Sequence, residues 1–313
     1  MITRRQIVAG TLAVSALQAQ RTMWKPRIGI LVNYSEGNVA FAKQEGFTSI
    51  GLWAQSNGNL AKPSDAEIAR IHEVIRQSGL LCSVLGVTAN HIDPNPANRK
   101  AVNDHTAGVI ETAGKLGVSY IGTMSGKDPA KNLAANVDEI RRVYEERYFP
   151  LCEKYKVRLI WEPWPDGPNV ATGPMGYEAL FKAFGNSPYV GIQFDPSHLV
   201  RQFMDPYQAA REWIDYIYDV HLKDTEIKRQ VLRRSGINPP DPAPWWRYRI
   251  PGQGEIDWPK FFTVLMDKGY SGAMNIEHED EEYRVGYNST EINEGYRVGF
   301  RLGLRYLRQY VPV

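Results

Sequence analysis

The sequence predicts an α/β fold, a single (β/α)8 TIM barrel with a long loop after the seventh strand. From Arg27 onward, segments typical of a buried strand alternate eight times with segments typical of a helix, which predicts βαβ units and a parallel sheet. The length of 313 residues is ordinary for one such barrel. A doubly wound sheet would carry a glycine-rich phosphate turn after its first strand, and Tyr34-Ser35-Glu36-Gly37 is not one.

The predicted strands are short runs rich in apolar and β-branched residues, the composition of strands that are buried on both faces. They cover residues 27–34, 47–54, 80–88, 118–124, 157–162, 190–195, 217–222 and 272–277. Parallel strands in this number are what a closed barrel of this class requires.

The predicted helices fill the gaps between these strands. They cover residues 38–45, 64–78, 98–116, 133–155, 176–184, 206–214, 257–268 and 290–310. Ser64 is a suitable N-cap for the second helix, and Gly79 and Gly117 are suitable residues to end the second and third. Gly185 and Gly269 would end two later helices in the same way.

One connection is unusually long, the stretch from Thr225 to Glu255 between the seventh strand and its helix. A long loop in a compact domain is usually either functional or disordered. This one contains Trp245-Trp246-Arg247-Tyr248-Arg249, and its aromatic and arginine content favours order. We therefore expect this loop to cover the substrate.

The composition excludes several classes of protein. A formal net charge of +2, without a dense run of lysine and arginine, argues against a nucleic-acid-binding protein. Cys82 and Cys152 are the two cysteines, too few for a disulfide framework or a CxxC metal site, so we expect buried free thiols.

Residues 1–22 resemble an export signal. Arg4-Arg5 precedes the apolar run 8–17, and the small residue Ala19 follows. The paired arginines are typical of a twin-arginine signal, and the apolar run is too short to span a bilayer. We therefore expect residues 1–22 to direct export to the periplasm or the exterior and residues 23–313 to form the catalytic barrel. The alternative is an ordinary cytoplasmic terminus with two chance arginines.

Each of the last four predicted strands ends in an ionisable side chain. In chain order these are Glu162, Asp195, His221 and Glu277. Because the C-terminal ends of barrel strands meet at one face, the four side chains should converge. Three carboxylates and an imidazole suit one divalent ion per chain, above all Mn²⁺, with Co²⁺, Mg²⁺ and Zn²⁺ as alternatives. A lone Glu or Asp at a strand end often caps the next helix, and Asp195 before Pro196 is also suited to start a turn, so only the set of four predicts a metal site.

These strand ends also carry a family resemblance, which covers nearly all of the chain from Arg27 onward. Its most specific segments are Glu162-Pro163, Asp195-Pro196-Ser197-His198, His221-Leu222-Lys223-Asp224, Gly252-Gln253-Gly254-Glu255-Ile256-Asp257-Trp258 and Ile276-Glu277-His278-Glu279. The sequence resembles the sugar phosphate isomerase/epimerase superfamily, the xylose isomerase-like TIM barrels that include AP endonuclease family 2, and in particular ketose 3-epimerases. The resemblance implies that the four strand-end residues bind one metal ion, that Glu162 and Glu277 also transfer a proton, and that His198 contacts substrate oxygens.

The implied chemistry is abstraction of a proton next to a sugar carbonyl through a metal-stabilised enediolate. Return of the proton to the same carbon epimerises the sugar, and return to the neighbouring carbon isomerises it. The same intermediate can instead expel a group one carbon further on, as in metal-dependent lyases of 3-keto-glycosides, and the ligands alone do not separate these outcomes. The low histidine content disfavours a DNA-repair endonuclease with clustered metals, and a non-catalytic sugar-binding barrel has no need of a metal flanked by two bases.

The predicted substrate contacts are His198, His91, Trp164, Lys223 and Arg249. His91 follows the third strand and is explained equally well as a turn histidine. Trp164 and a tryptophan of the long loop are suited to stack on a sugar ring. The resemblance implies a substrate arginine after the seventh strand, for which Arg229, Arg247 and Arg249 are all candidates.

The expected partner is a small sugar or keto-sugar. Export favours an unphosphorylated substrate over a phosphorylated cytosolic one. No nucleic acid and no membrane span are expected. Members of the superfamily are often dimers or tetramers, so the resemblance also implies a homo-oligomer.

Overall fold

Eight parallel strands close into one barrel, which confirms the predicted fold. The computed structural model of the protein describes residues 24–185, 187–284 and 290–311. The barrel strands are β1 Arg27–Val32, β2 Ser49–Trp53, β3 Leu81–Val87, β4 Tyr120–Thr123, β5 Arg158–Trp161, β6 Val190–Phe194, β7 Ile217–Leu222 and β10 Ala273–Ile276. Neighbours in this order pair in parallel, and β10 closes the barrel against β1.

Helices connect the strands, and those that contribute to the hydrophobic core pack on the outer face of the barrel. They are α1 Glu36–Gln44, α2 Asp65–Ser78, α3 Pro96–Leu116, α4 Leu133–Val143, α5 Phe149–Tyr155, α6 Pro174–Phe184, α7 Pro196–Arg201, α8 Pro206–Trp213, α9 Arg229–Ser235, α10 Trp258–Asp267 and α11 Glu294–Leu307. Ser64 caps α2 as predicted, because its hydroxyl accepts the N–H of Glu67. Gly79 and Gly117, with φ angles of 76° and 71°, end α2 and α3 in the left-handed conformation.

The sequence predicts a single fourth helix over residues 133–155, but the structure has two helices there, α4 and α5. Between α4 and α5 the turn Tyr144–Tyr148 is π-helical, and the N–H of Phe149 donates to the carbonyl of Tyr144. Pro150 has no N–H with which to continue an α-helical ladder, so a wider turn fits just before it. The wider turn places both Tyr144 and Tyr148 in the core, where neither is exposed to solvent.

The long loop after β7 has secondary structure of its own that the sequence analysis missed. It contains β8 Asp224–Ile227 and β9 Trp246–Arg249, which form an antiparallel hairpin with α9 between them. Glu226 lies opposite Arg247 and pairs with it at 2.5 Å. Such cross-strand ion pairs stabilise an antiparallel pair, but they depend on a register that no local pattern reveals.

Helix α7 was also missed. It begins directly after β6, with Pro196 at its first position and Asp195 as its N-cap. Its six residues are too few to show a helical hydrophobic period.

Asp224 anchors the long loop to the barrel. The donors to its carboxylate, each 2.9–3.1 Å away, are the backbone N–H groups of Thr225, Gly252 and Ile256 and the indole N–H of Trp258. A Cβ at Gly254 would lie 2.2 Å from Asp224 Oδ1, so only glycine fits there. Asp224 and the 252–258 segment therefore form one structural unit, although they are far apart in sequence.

The two cysteines are free thiols. Cys152 is buried as predicted, whereas Cys82 is only partly buried. Cys82 lies near the start of β3, at the edge of the barrel, next to the exposed Leu81.

None of the described helices is long and apolar enough to cross a membrane. The predicted export signal, residues 1–22, lies outside the described residues.

Replacing Asp224 with alanine should lower the free energy of unfolding by about 3 kcal/mol, because several buried donors would lose their acceptor. Urea unfolding measures this change. The control is Asp241→Ala at an exposed position of the same loop, which should leave stability unaltered. Equal midpoints and slopes for the two variants would show that Asp224 is not the anchor.

Candidate metal centre and active site

Four side chains converge at the C-terminal end of the barrel. One ligand atom from each lies within 4.8 Å of the others, and the four residues are Glu162, Asp195, His221 and Glu277. From His221 Nδ1 the distances are 3.2 Å to Glu162 Oε1, 3.5 Å to Asp195 Oδ2 and 3.1 Å to Glu277 Oε2. The structure thus brings together the four residues that the sequence predicts as metal ligands.

Strand periodicity places a polar layer directly beneath these four side chains. Successive strand residues point to opposite faces, so the residue two positions before a ligand also points into the barrel. These residues are Gln193 in β6, Asp219 in β7 and Asn275 in β10, all buried. Asp219 accepts hydrogen bonds from Gln193 at 2.9 Å and from Asn275 at 3.0 Å, which ties the three ligand-bearing strands together. Sequence reasoning missed this layer, although its signal was a polar residue two positions before three of the four ligands, all but Glu162.

Asp195 serves two purposes at once. Its Oδ1 accepts a hydrogen bond of 2.8 Å from the N–H of Ser197 and so caps α7. Its Oδ2 is buried and faces the cluster, 3.5 Å from His221 Nδ1 and 3.1 Å from Lys223 Nζ. The capping role and the ligand role, which the sequence analysis treated as alternatives, are therefore compatible.

The unpaired atoms of the cluster fit a metal ion. Among the described residues, Asp195 Oδ2 and both ring nitrogens of His221 are buried and make no hydrogen bond; Asp195 Oδ2 and His221 Nδ1 make only ion-pair contacts of 3.1–3.5 Å, and His221 Nε2 makes none. Buried polar atoms are nearly always paired, so these atoms indicate a bound group that would satisfy them. Three carboxylates and one imidazole are the donor set of a hard or borderline divalent ion. The residues present therefore suit one divalent cation.

Opposite charges hold the cluster together. Burial raises the pKa of Glu162, but His221 and His198 outweigh burial and hold that pKa well below its usual value. Burial also raises the pKa of Glu277, which Lys223 and His221 lower below its usual value. Burial lowers the pKa of His221, whereas Glu277 and Glu162 raise it well above its usual value. The metal-free cluster thus pairs ionised carboxylates with an imidazolium, and metal binding would release the imidazolium proton.

Lys223 supplies a second buried positive charge, since only 1% of its side chain is exposed. Its Nζ lies 2.5 Å from Glu277 Oε2, 2.9 Å from Glu279 Oε2 and 3.1 Å from Asp195 Oδ2. Burial lowers the pKa of Lys223, but the three carboxylates raise it well above its usual value. The ammonium group is therefore held, fully charged, against two of the four candidate ligands.

The cluster opens into a cavity of about 580 Å³. Among its lining residues are the predicted site residues Glu162, Trp164, His198, Lys223 and Glu277. Amide and hydroxyl side chains that follow the first three strands also line it, namely Asn33, Gln55, Asn57, Asn59 and Thr88. The cavity is thus polar, with the candidate metal site as part of its wall.

The structure does not bring His91 to this cavity. Its ring nitrogens lie 2.9 Å from the Tyr148 hydroxyl and 3.1 Å from Thr123 Oγ1, and the residue is completely buried. Burial lowers the pKa of His91 to about 4. The π-helical turn that brings Tyr148 inward explains this placement, which makes His91 a paired core histidine.

Arg249 is also held away from the cavity. Its Nε donates to Asp280 Oδ2 at 2.9 Å, and its Nη1 donates to Glu226 Oε2 at 2.9 Å. Side chains alternate along β9, so Arg247 and Arg249 point to one face and Tyr248 points to the other, toward the cavity.

The tryptophans near the mouth divide into two groups. Trp53 and Trp164 line the cavity. Trp161 is fully buried, Trp245 stacks on another aromatic ring, and Trp246 lies against an arginine side chain. The loop pair Trp245–Trp246 therefore packs within the protein.

Comparison with known families agrees with this geometry. Residues 39–309 match the model of the xylose isomerase-like TIM barrel family. The chain belongs to this family. Its membership covers the barrel from α1 to the end of α11 and so includes all four candidate ligands.

Two curated proteins resemble the chain in sequence. The uncharacterized protein YfiH of Bacillus subtilis (strain 168) is 27% identical over 249 residues, 66% of this chain and 74% of YfiH. The inosose dehydratase of Clostridium perfringens (strain 13 / Type A) is 29% identical over 93 residues, 29% of this chain and 31% of the dehydratase. The chain thus spans only about a third of the dehydratase, and that likeness is local.

A solved structure resembles the whole barrel. D-psicose 3-epimerase in the presence of D-fructose superposes with a TM-score of 0.68 and 16% sequence identity, over 92% of this chain and 100% of the epimerase. At this level of identity the likeness shows a shared fold.

Tyr248 is a cavity residue that sequence reasoning missed and that contacts a predicted site residue. It lines the cavity, and its hydroxyl lies 2.8 Å from His198 Nδ1. In the segment Trp246-Arg247-Tyr248-Arg249 aromatic residues alternate with arginines, which is the pattern of a strand with two different faces. This alternation was the available signal.

Replacing Lys223 with methionine should destabilise the metal-free protein by about 3–5 kcal/mol at pH 7, because buried carboxylates would lose a cation. Thermal or urea unfolding after chelation measures the loss, and saturating Mn²⁺ should reduce it. Lys127→Met, at an exposed position, is the control. A Lys223→Met protein as stable as this control without metal would contradict the electrostatic account.

Proposed function

We propose that the protein is a divalent-metal-dependent sugar epimerase or isomerase. The observation that carries this proposal is a pair of carboxylates, Glu162 and Glu277, that meet at one candidate metal site. Glu162 follows β5 and Glu277 follows β10, and two other strands separate β5 from β10 in the closed sheet. The two carboxylates therefore reach the site from different directions, as two bases on opposite faces of one substrate carbon must.

Glu162, Asp195, His221 and Glu277 would hold the ion. Mn²⁺ is the preferred ion for this donor set, with Co²⁺, Mg²⁺ and Zn²⁺ as alternatives. When bound, the ion would polarise the substrate carbonyl and so make the neighbouring C–H group more acidic.

The two carboxylates would move the proton. Their low pKa values keep both ionised, so each is able to accept a proton from carbon. Removal by one carboxylate and return by the other inverts the carbon, and return to the adjacent carbon gives isomerisation. His198 Nε2, 3.2 Å from Glu162 Oε1, would contact substrate oxygens beside that base.

The cavity favours an uncharged sugar. Among the described lining residues the one cation is Lys223, and three carboxylates already surround it. A phosphate group would find several negative charges and no unengaged cation here, and like-charge contacts cost several kcal/mol. Amide and hydroxyl groups, by contrast, match sugar hydroxyls, so we infer an unphosphorylated sugar or keto-sugar substrate.

A lyase is the second candidate function. The local likeness to an inosose dehydratase points this way. In the cavity, the Lys223 ammonium donates to Glu277 at 2.5 Å and lies 3.4 Å from His198 Nε2, so an acid stands beside a base. After a carboxylate removes the proton next to the carbonyl, this ammonium group would protonate the departing oxygen, as in β-elimination from a 3-keto-glycoside.

Location and assembly remain part of the proposal. We infer export from the paired arginines in residues 1–22 and a homo-oligomer from the family resemblance. Neither inference enters the argument for the chemistry.

Replacing Glu162 or Glu277 with glutamine should preserve the fold but reduce solvent proton exchange next to the substrate carbonyl by about 10²- to 10⁴-fold. The measurement is deuterium incorporation from D₂O into unphosphorylated keto-sugars and 3-keto-glycosides, followed by mass spectrometry of the metal-loaded enzyme. Product analysis in the same reactions distinguishes an epimer, an isomer and an eliminated group.

The matched control is Glu212→Gln, an exposed carboxylate away from the cavity, which should exchange at the wild-type rate. Wild-type exchange in both active-site variants would rule out the two-carboxylate chemistry.

A further inference from the structure

A chain of hydrogen bonds runs from the rim of the cavity to the base Glu162. Arg201 Nη1 donates to the Tyr248 hydroxyl at 3.1 Å, and that hydroxyl lies 2.8 Å from His198 Nδ1. His198 Nε2 in turn lies 3.2 Å from Glu162 Oε1. In each of these hydrogen bonds one group donates and the other accepts, and the chemistry of the groups determines which is which.

The two ends of the chain fix that direction. A guanidinium group only donates hydrogen bonds, and an ionised carboxylate only accepts them. The Tyr248 oxygen therefore accepts from Arg201, while Glu162 accepts from His198 Nε2. In a neutral imidazole ring a protonated Nε2 leaves Nδ1 as an acceptor, so the Tyr248 hydroxyl donates to Nδ1. The chain thus runs from Arg201 through Tyr248 and His198 to Glu162.

Lys223 does not compete for the same nitrogen. Its Nζ lies 3.4 Å from His198 Nε2, but 2.5 Å from Glu277 Oε2, 2.9 Å from Glu279 Oε2 and 3.1 Å from Asp195 Oδ2, one carboxylate for each of its three protons. The shorter contacts to carboxylates take its protons, which leaves His198 Nε2 free to donate to Glu162.

Packing holds the first part of the chain still. Both terminal nitrogens of Arg201 bond to the carboxylate of Asp166, and its guanidinium carbon lies 3.7 Å from the centre of the Trp246 ring. The Tyr248 ring meets His198 edge to face at 5.4 Å, and Lys223 Nζ lies 4.4 Å from the centre of that ring. The hydroxyl therefore has one position to occupy.

The hairpin and the short helix that carry these residues are joined to each other. Tyr248 pairs with Thr225 across the β8–β9 hairpin. The Thr225 hydroxyl donates to the carbonyl of Ser197 at 2.9 Å, in the same helix, α7, that carries His198. The distance between Tyr248 and His198 is thus set by the fold.

We propose that Tyr248 is a positioning residue that fixes the tautomer of His198, so that Nε2 carries the ring proton and faces Glu162 and the substrate. Its effect on catalysis rests on the function proposed above, whereas its effect on the tautomer does not. The long loop after β7 would then act on the reaction through this one hydroxyl.

The test is nitrogen NMR of the His198 ring in ¹⁵N-histidine-labelled protein loaded with diamagnetic Mg²⁺. The six histidines make assignment practical, with His198→Gln identifying the relevant pair of resonances. We expect wild-type protein to show a single tautomer with the proton on Nε2. In Tyr248→Phe, which keeps the ring but removes the hydroxyl, the two nitrogen shifts should move toward each other as tautomers mix.

The kinetic expectation for Tyr248→Phe is a fall in kcat of about 10- to 100-fold with little change in KM, because a positioning contact to a catalytic group is lost. The matched control is Tyr283→Phe, which should behave as wild type. The Tyr283 hydroxyl accepts a hydrogen bond from Gln253 and takes no part in the hydrogen bonds that lead to Glu162.

A wild-type His198 ring with its proton on Nδ1 or with protons on both nitrogens, or unchanged His198 resonances in Tyr248→Phe, would overturn the proposal. The wild-type spectrum alone tests it even where the variant does not fold. If no sugar is turned over but the Nε2 tautomer is present and depends on Tyr248, the proposed function fails and the role of Tyr248 stands.

Discussion

The structure depends on one electrostatic constraint, the burial of three carboxylates around a single point. Glu162, Asp195 and Glu277 each offer an oxygen to a cluster less than 5 Å across. Buried carboxylates are costly unless cations and hydrogen bonds compensate them. His221 and Lys223 supply two positive charges, and a divalent ion at the same point would satisfy the atoms that remain unpaired. Three features keep these charged groups in place: the polar layer beneath them, the hydrogen bond by which Asp195 caps α7, and the β8–β9 hairpin above them.

The barrel and its ligand set could be predicted because both follow from local periodicity. The limits of β7 are as predicted. Once the strands are placed, the C-terminal ends of parallel strands must meet, and this brings Glu162 and Glu277 together although they are far apart in sequence. The same reasoning would have found Asp219, which shares a face with His221 two residues later.

What could not be predicted depends on contacts between distant segments. His91 was placed at the mouth because it follows a strand, but a π-helical turn brings Tyr148 against it and makes it part of the core. Arg249 is predicted as a substrate contact because the resemblance implies an arginine after the seventh strand. Which side of β9 faces the cavity depends on its pairing with β8, and this register is not visible in either segment alone. Asp224 and Gly254 show the same limit. The glycine at position 254 is visible in the sequence, but its reason, the close approach of the Asp224 carboxylate, is visible only in the structure.

The central claim is that this cluster binds one divalent ion, and elemental analysis of the purified protein, reconstituted with Mn²⁺ and then desalted, tests it most directly. The account predicts about one ion per chain, lost in His221→Ala and retained in His72→Ala, which removes an exposed histidine instead. Wild-type protein that takes up no metal, or that holds as much as the His221→Ala variant, would contradict it.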